Sequence, residues 1–365
     1  MEGMGIDTTF YKGKRVFITG HTGFKGSWLT SWLIKSGAVL KGYALAPNTQ
    51  PALFNILDIG NNIESVYSDI SQINKLSKEV DSFKPEIIFH LAAQPLVRES
   101  YSDPHYTYNT NVLGTVNILE AARNCSSVRA IVAITTDKVY KNKERDSGYS
   151  ESDEIGGYDP YSASKACCEI IIDSYRQSFL SKSSVLIVSA RAGNVIGGGD
   201  WSKDRIIPDA VRSFSSGKKL QVRNPKSVRP WQHVLEPLSG YLMLGKYLLE
   251  GKSEFEGPWN FGPLEDDRMN VGELAELIAR LWSKDATFEI LKLDGQLHET
   301  KLLSLDINKA RTKLNWQPSY NSGKALEKTI KWYSEYYKGT DMNELTRSQI
   351  EDFEKLSCQV EYSGT

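Results

Sequence analysis

Short β-branched and aromatic runs alternate with helix-period segments along the first half of the chain. Arg15-Val16-Phe17-Ile18-Thr19 reads as a strand, and Ser27–Ile34, ending near Gly37, as a helix. A strand at Val39–Leu45, a short one at Ser65–Asp69, a helix at Ile73–Phe83 and a strand at Glu86–His90 follow. The pattern then predicts one long helix over about Tyr106–Cys125. An apolar strand comes next, ending in Thr135-Thr136-Asp137-Lys138-Val139-Tyr140. Pro160 suits the first position of another helix, with Asp159 as its N-cap. That helix runs to about Leu180 and precedes a strand at Ser184–Arg191. Such alternation predicts βαβ units and an α/β fold, a Rossmann-like doubly wound parallel sheet. Sheets of this kind bind ligands beyond the carboxyl ends of their strands.

After Ile196 the texture changes. Gly197-Gly198-Gly199-Asp200-Trp201 opens a loop-rich region, with helices expected at Trp231–Leu249, Gly272–Trp282 and Ser322–Tyr337. Asn270 and Glu273 form a capping-box-like pair at the second of these. Residues 198–338 are therefore expected to form mainly a smaller, mixed α/β substrate-binding lobe. Segments near 231–257 return to the first domain, 1–197, and 339–365 form a C-terminal tail, helical or loose.

Composition narrows the classes rather than the fold. The 365 residues are 40% hydrophobic and 24% charged, with a net charge of -1. Lys and Arg are scattered, so no nucleic-acid footprint is expected. No run approaches the roughly 18 apolar residues of a membrane helix, and residues 1–14 carry no secretion signal. A cytoplasmic, membrane-free protein is the expectation. The four cysteines, Cys125, Cys167, Cys168 and Cys358, have neither metal nor disulfide-framework spacing. They read as reduced thiols, and no metal site is expected.

Candidate chemistry begins at Thr19-Gly20-His21-Thr22-Gly23-Phe24-Lys25-Gly26, which follows the first strand and opens the first helix. Glycines at spacing three and three in that place suit a dinucleotide loop. Gly20 permits the tight turn, Gly23 the close approach of a pyrophosphate and Gly26 the packing of helix on strand. The helix N-terminus supplies amide donors for the phosphates. The acid that often ends the second strand is missing from Lys41-Gly42-Tyr43-Ala44-Leu45-Ala46-Pro47, so preference between NAD and NADP is not written there. Asp69, with Ile70, is the expected adenine-side contact.

Tyr161 and Lys165 in Tyr161-Ser162-Ala163-Ser164-Lys165 lie one helical turn apart on one face. With Thr136 they resemble the catalytic triad of the extended short-chain dehydrogenase/reductase superfamily. Phe89-His90-Leu91-Ala92-Ala93-Gln94-Pro95 resembles the loop beneath the nicotinamide ribose in nucleotide-sugar enzymes. Arg191-Ala192-Gly193-Asn194-Val195 and Arg229-Pro230-Trp231-Gln232-His233-Val234 resemble their sugar and diphosphate contacts. Together with TTDKVY, DRIIPD and WNFGP, these motifs closely resemble the CDP-glucose 4,6-dehydratase family over roughly residues 12–335.

That resemblance implies retained NAD, bound by Gly20, Thr22, Gly23, Phe24, Lys25, Gly26, Asp69, Ile70, Leu91, Ala92, Ala93, Gln94, Tyr161 and Lys165. It implies CDP-glucose as substrate, with Arg98, Ser100, Asn194, Trp201, Arg205, Arg229 and His233 as contacts. It implies oxidation at C4 of the sugar, loss of water across C5–C6 and hydride return to C6, on the way to dideoxyhexoses of bacterial surface polysaccharide. Lys165 and an oxidised nicotinamide both favour a tyrosinate at Tyr161, drawing its pKa from about 10 toward neutrality. Asp137 protonates the departing C6 hydroxyl and Lys138 removes the C5 proton. Those jobs reverse the resting charges of adjacent Asp and Lys, so burial and neighbouring charge must retune both. The segment is expected to leave strand geometry at Thr136, since successive strand residues face opposite ways.

Two other readings stand beside this one. A nucleotide-sugar 4-epimerase shares the glycine loop, Tyr161 and Lys165, and leaves Asp137-Lys138 idle. A redox-sensing regulator on this fold binds dinucleotide but lacks the tyrosine. Family members associate through the helix bearing the Tyr-Lys pair and the helix before it, which implies a homodimer or homotetramer. Val112, Val116, Leu119, Cys168, Ile171 and Ile172 are the apolar candidates for that contact.

Overall fold

The computed structural model describes residues 7–291 and 302–358. Strands β1 (Arg15–Thr19), β2 (Val39–Ala44), β3 (Glu64–Tyr67), β4 (Ile87–His90), β5 (Ala130–Ile134), β6 (Leu186–Ala192) and β7 (Gly257–Phe261) form one sheet. Every pairing is parallel, and the order across the sheet is β7-β6-β5-β4-β1-β2-β3. Chain order reverses between β1 and β4, so the crevice beyond those two strands is the switch point where such sheets take ligands.

The longer helices are α1 (Phe24–Lys35), α2 (Ile73–Phe83), α3 (Gly114–Arg123), α4 (Pro160–Ser178), α5 (Ile206–Ser215), α6 (Leu235–Leu249), α7 (Val271–Trp282), α8 (Ser322–Lys338) and α9 (Met342–Ser357). Alternate strand residues feed two cores. Val16, Ile18, Val132 and Ile134 join the larger one, with α1 and α6. Phe17, Ile131 and Ala133 join the smaller one, with α2, α3 and α4. Local chemistry agrees with these placements: Asp159 caps α4 by accepting from the Ser162 amide at 2.9 Å. At α7 both halves of the Asn270–Glu273 capping box are made.

The long helix expected over about 106–125 is present as one continuous helical run, made of Pro104–Tyr108, a π-turn at Asn109–Leu113 and α3. Two other expectations are corrected. Helix α6 begins at Leu235, not Trp231, because Gln232-His233 pair in parallel with Val195-Ile196. Leu119, Cys168 and Ile172 are buried beneath the sheet-facing side, leaving Tyr108, Leu113 and Ile170 as the exposed apolar residues of that region.

Beyond residue 338 the chain is helical through Ser357 and docked. Glu354 on α9 accepts from Trp32 Nε1 and Lys35 Nζ, each at 2.7 Å, and the Trp32 and Phe353 rings meet edge to face. Residues 359–365 of the expected tail lie outside the described residues. Glu236, near the start of α6, is fully buried and accepts the backbone amides of Ser319 and Tyr320. That carboxylate ties α6 to the chain leading into α8.

Candidate active site

A cleft of about 1850 Å³ runs along the carboxyl ends of the strands. Its first wall is the glycine loop. Gly20 adopts φ +76°, and a Cβ there would lie 2.7 Å from the Ala92 amide nitrogen. A Cβ on Gly26 would collide with the Gly20 carbonyl, whereas Gly23 faces nothing closer than 3.4 Å. The turn and the helix packing therefore demand glycine at two positions, and the third leaves its cleft side open. This cradle at the start of α1 fits a dinucleotide pyrophosphate. Asp69 and Ile70 line the same cleft, as do Leu91, Ala92, Ala93 and Gln94.

Strand β5 ends at Ile134. Thr136 is still extended, and Asp137–Val139 form a single 3-10 turn, so the segment leaves the sheet where expected. Thr136 Oγ1 donates to Asp137 Oδ1 at 2.9 Å and lies within hydrogen-bonding reach of the Tyr161 phenol. A hydroxyl has one proton, so Thr136 can donate to only one of them at a time. Lys165 Nζ donates to the Ile134 carbonyl at 3.1 Å.

Burial dominates the electrostatics. Asp137, 2% exposed, is raised above the ordinary carboxylate range by desolvation, against the pull of Lys138, Thr136, Arg229 and Lys25. Its Oδ2 has no hydrogen-bond partner. The acid is thus biased toward its protonated form, the form that donation to a leaving hydroxyl requires. For Tyr161 the protein's own burial is the largest influence. Desolvation pushes it to about 12, and the Thr136 hydrogen bond only partly offsets this. In this environment the phenol rests protonated, and further positive charge in the cleft is needed to draw it down. Lys25 is lowered to about 8 by burial, then by Arg205 and Lys165.

Of the expected substrate contacts, Arg98, Asn194, Trp201, Arg205 and Arg229 line the cleft. Arg98 and Arg223 both approach Asp204, at 3.5 and 3.1 Å, and Arg205 pairs with Asp200 at 2.9 Å. Ser100 and His233 are not brought to the cleft. Ser100 is fully buried and donates to the Val97 carbonyl at 2.6 Å. His233 sits between the Trp28 and Tyr320 rings, its Nδ1 accepting from the Leu235 amide. Arg191, from a contact-like motif, is buried and paired to Glu169 at 2.7 Å.

Sequence reasoning missed Asn111. Its side chain exchanges two hydrogen bonds with the Gln94 backbone and donates to Ser164 Oγ at 2.8 Å. The signal was an Asn inside a predicted helix, and the π-turn is what turns it inward. Gly193 was also missed as a site residue. A Cβ there would lie 3.1 Å from Asp137 Oδ2 and 2.7 Å from Pro230 Cγ.

Fold and site together define a nucleotide-sugar-modifying enzyme class of the Rossmann-like type, and the chain belongs to the GDP-mannose 4,6 dehydratase family, whose model matches residues 17–254. Within that class it is 46% identical over 353 residues to CDP-glucose 4,6-dehydratase of Salmonella typhimurium, covering 95% of this chain and 98% of the relative. The epimerase Mth375 of Methanothermobacter thermautotrophicus superposes with TM-score 0.77 at 25% identity, covering 94% of this chain and 97% of that one. DesIV, a dTDP-glucose 4,6-dehydratase of Streptomyces venezuelae solved with NAD and TYD bound, shares the fold at TM-score 0.77 and 23% identity, covering 89% and 98%. Among the described residues no helix is long and apolar enough to cross a membrane.

Proposed function

We propose that this chain is an NAD-dependent CDP-glucose 4,6-dehydratase, a hydro-lyase converting CDP-glucose to CDP-4-keto-6-deoxyglucose. The observation that carries the reading is the buried Asp137, an acid with an unbonded Oδ2 that lines the same cleft as Tyr161, Lys165 and the glycine loop. An epimerase has no use for that acid.

NAD held by the glycine loop and Lys165 would supply the hydride exchange, as acceptor at C4 of the sugar and donor at C6. Tyr161 removes the C4 hydroxyl proton, and Lys165 holds the nicotinamide ribose while its charge favours the tyrosinate. Thr136 orients the C4 oxygen. A ketone at C4 acidifies the C5 proton, which Lys138 takes, and Asp137 protonates the leaving C6 hydroxyl. Gly20, Thr22, Gly23, Phe24, Lys25 and Gly26 hold the pyrophosphate, with Asp69, Ile70 and the 91–94 loop at the nucleoside ends. Arg98, Asn194, Trp201, Arg205 and Arg229 hold the sugar nucleotide; guanidinium groups suit its diphosphate because each donates two parallel bonds. The enzyme is cytoplasmic, serves dideoxyhexose synthesis for surface polysaccharide, and is a dimer or tetramer. Exposed Tyr108, Leu113 and Ile170 support a four-helix contact between subunits.

Incubation with CDP-, dTDP-, UDP- and GDP-hexoses, followed by product mass, tests the reading. Loss of one water from the CDP-sugar alone is expected; an unchanged mass with inverted C4 makes the chain an epimerase. Lys138→Ala is expected to slow release of 4-keto-6-deoxy product by about 10²-fold or more and to stop solvent deuterium entering C5. Release at the parental rate removes Lys138 from the base's role.

A further inference from the structure

Behind the cleft lies a buried polar network that the reaction, as described, does not use. Tyr161, Lys165 and Glu169 fall at i, i+4 and i+8 on α4, so they share one face. Glu169 is 6% exposed, and both its oxygens are engaged. Oε1 accepts from Thr135 Oγ1 at 2.5 Å, and Oε2 accepts from Ser189 Oγ and Arg191 Nη2, each at 2.7 Å. Arg191, on β6, donates through Nη1 to Tyr140 Oη at 2.7 Å. The Tyr140 hydroxyl in turn donates to Asn260 Oδ1 on β7 at 2.7 Å.

Thr135 and Tyr140 bracket Thr136-Asp137-Lys138-Val139. One ion pair therefore grips both ends of the turn that carries the acid and the base. It grips them from the same helix that carries Tyr161 and Lys165. Backbone bonds from the Thr135 amide to the Ala190 carbonyl and from the Gly156 amide to the Val139 carbonyl hold the turn to its neighbours; toward α4 it is held by Lys165 on the Ile134 carbonyl and by two hydroxyls converging on the Glu169–Arg191 pair. A buried ion pair is a poor source of net stability but a good source of unique geometry, because any other arrangement leaves a charge unpaired.

We propose that Glu169 and Arg191 are positioning residues of the dehydration, clamping segment 135–140 so that Asp137 and Lys138 are aligned on the sugar held at Tyr161. The proposal rests on the roles assigned above to Asp137 and Lys138. Two conservative variants each release one end of the clamp while keeping its shape: Thr135→Val and Tyr140→Phe. Each is expected to lower kcat on CDP-glucose about 10- to 10²-fold, with KM changed less than about 2-fold, as a small misalignment of reacting groups does. The loss should fall on elimination, so a deuterium isotope effect from 5-deuterated substrate grows while that from 4-deuterated substrate shrinks. Thr135→Ser, which keeps the hydroxyl, should restore kcat to within about 3-fold of the parent. The two releases act through one pair, so the double variant should lose little more than the worse single one.

The pair itself can be replaced together, as Glu169→Leu with Arg191→Met, which leaves no buried charge unpaired; it should stay folded by thermal melting and be slow in the same step. Should that variant not fold, the two hydroxyl variants decide. Parental kcat in both, a loss expressed in KM, isotope effects that do not move, or fully additive losses would each overturn the clamp. A parent enzyme that fails to dehydrate CDP-glucose brings down the functional reading instead, and the clamp with it.

Discussion

Two buried acids flank the end of β5, and they are built in opposite ways. Asp137 lines the cleft, with one oxygen held by Thr136 and the other unbonded. Glu169 faces away from it, with both oxygens occupied and a guanidinium as counter-charge. Burial is nearly the same, so depth does not separate a reactive group from a structural one. What separates them is whether the surroundings complete the group's hydrogen bonding or leave it to be completed by something else. Glu236 adds a third case. All its partners are neutral backbone amides, and despite three bonds its pKa is pushed up to about 8 by burial. Hydrogen bonds satisfy a buried carboxylate's geometry, but a fixed positive charge is needed to cover its charge.

The sharpest way to break this contrast is Asp137→Asn. If the open acid is the proton donor, product formation should fall about 10³-fold, read as ketone released from CDP-glucose. Unchanged turnover would place Asp137 among the structural acids. A smaller effect, about 10-fold in kcat, is expected for Gly193→Ala, whose methyl would press on Asp137 Oδ2 and Pro230. Next comes a change visible in stability rather than rate. Glu236 has an ordinary pKa of 4.5 when unfolded and about 8 when folded. The native state thus holds its proton longer, and this group costs stability as pH rises from about 4.5 to about 8. Relative to Glu236→Gln, the parent's melting temperature should fall across that window; parallel melting curves at pH 5 and pH 8 would show the carboxylate to be already ionised at both. The smallest effect is expected at Ser100→Ala, with KM for CDP-glucose within about 2-fold of the parent, since that hydroxyl only serves the Val97 carbonyl.

The parallel sheet was legible because apolar runs, glycine punctuation and helix periods all agree from Arg15 to Arg191. The glycine loop and the Tyr161–Lys165 spacing were legible for the same local reason. The π-turn at Asn109–Leu113 was not, because helical periodicity runs through it and only the tertiary bond from Asn111 to Gln94 reveals its purpose. Motif position put Ser100 and His233 near the substrate, but a motif gives order along the chain and not the direction of a side chain. His233 alternates inward on a two-residue bridge and meets Trp28 and Tyr320. Glu169 stood in plain spacing after Lys165. Its partners come from the residue just past β5 and from β6, so its work could be seen only once those strands lay side by side.

Helix α9 closes over α1 through Glu354 and Phe353, although more than three hundred residues separate Trp32 from its partners. Until Met342–Ser357 docks, Trp32 and Lys35 lack their Glu354 partner and the Trp32 ring lacks Phe353. The brace behind the helix that opens at the glycine loop is therefore a contact of very long sequence separation, and its closure entropy is met only when both ends of that span are in place.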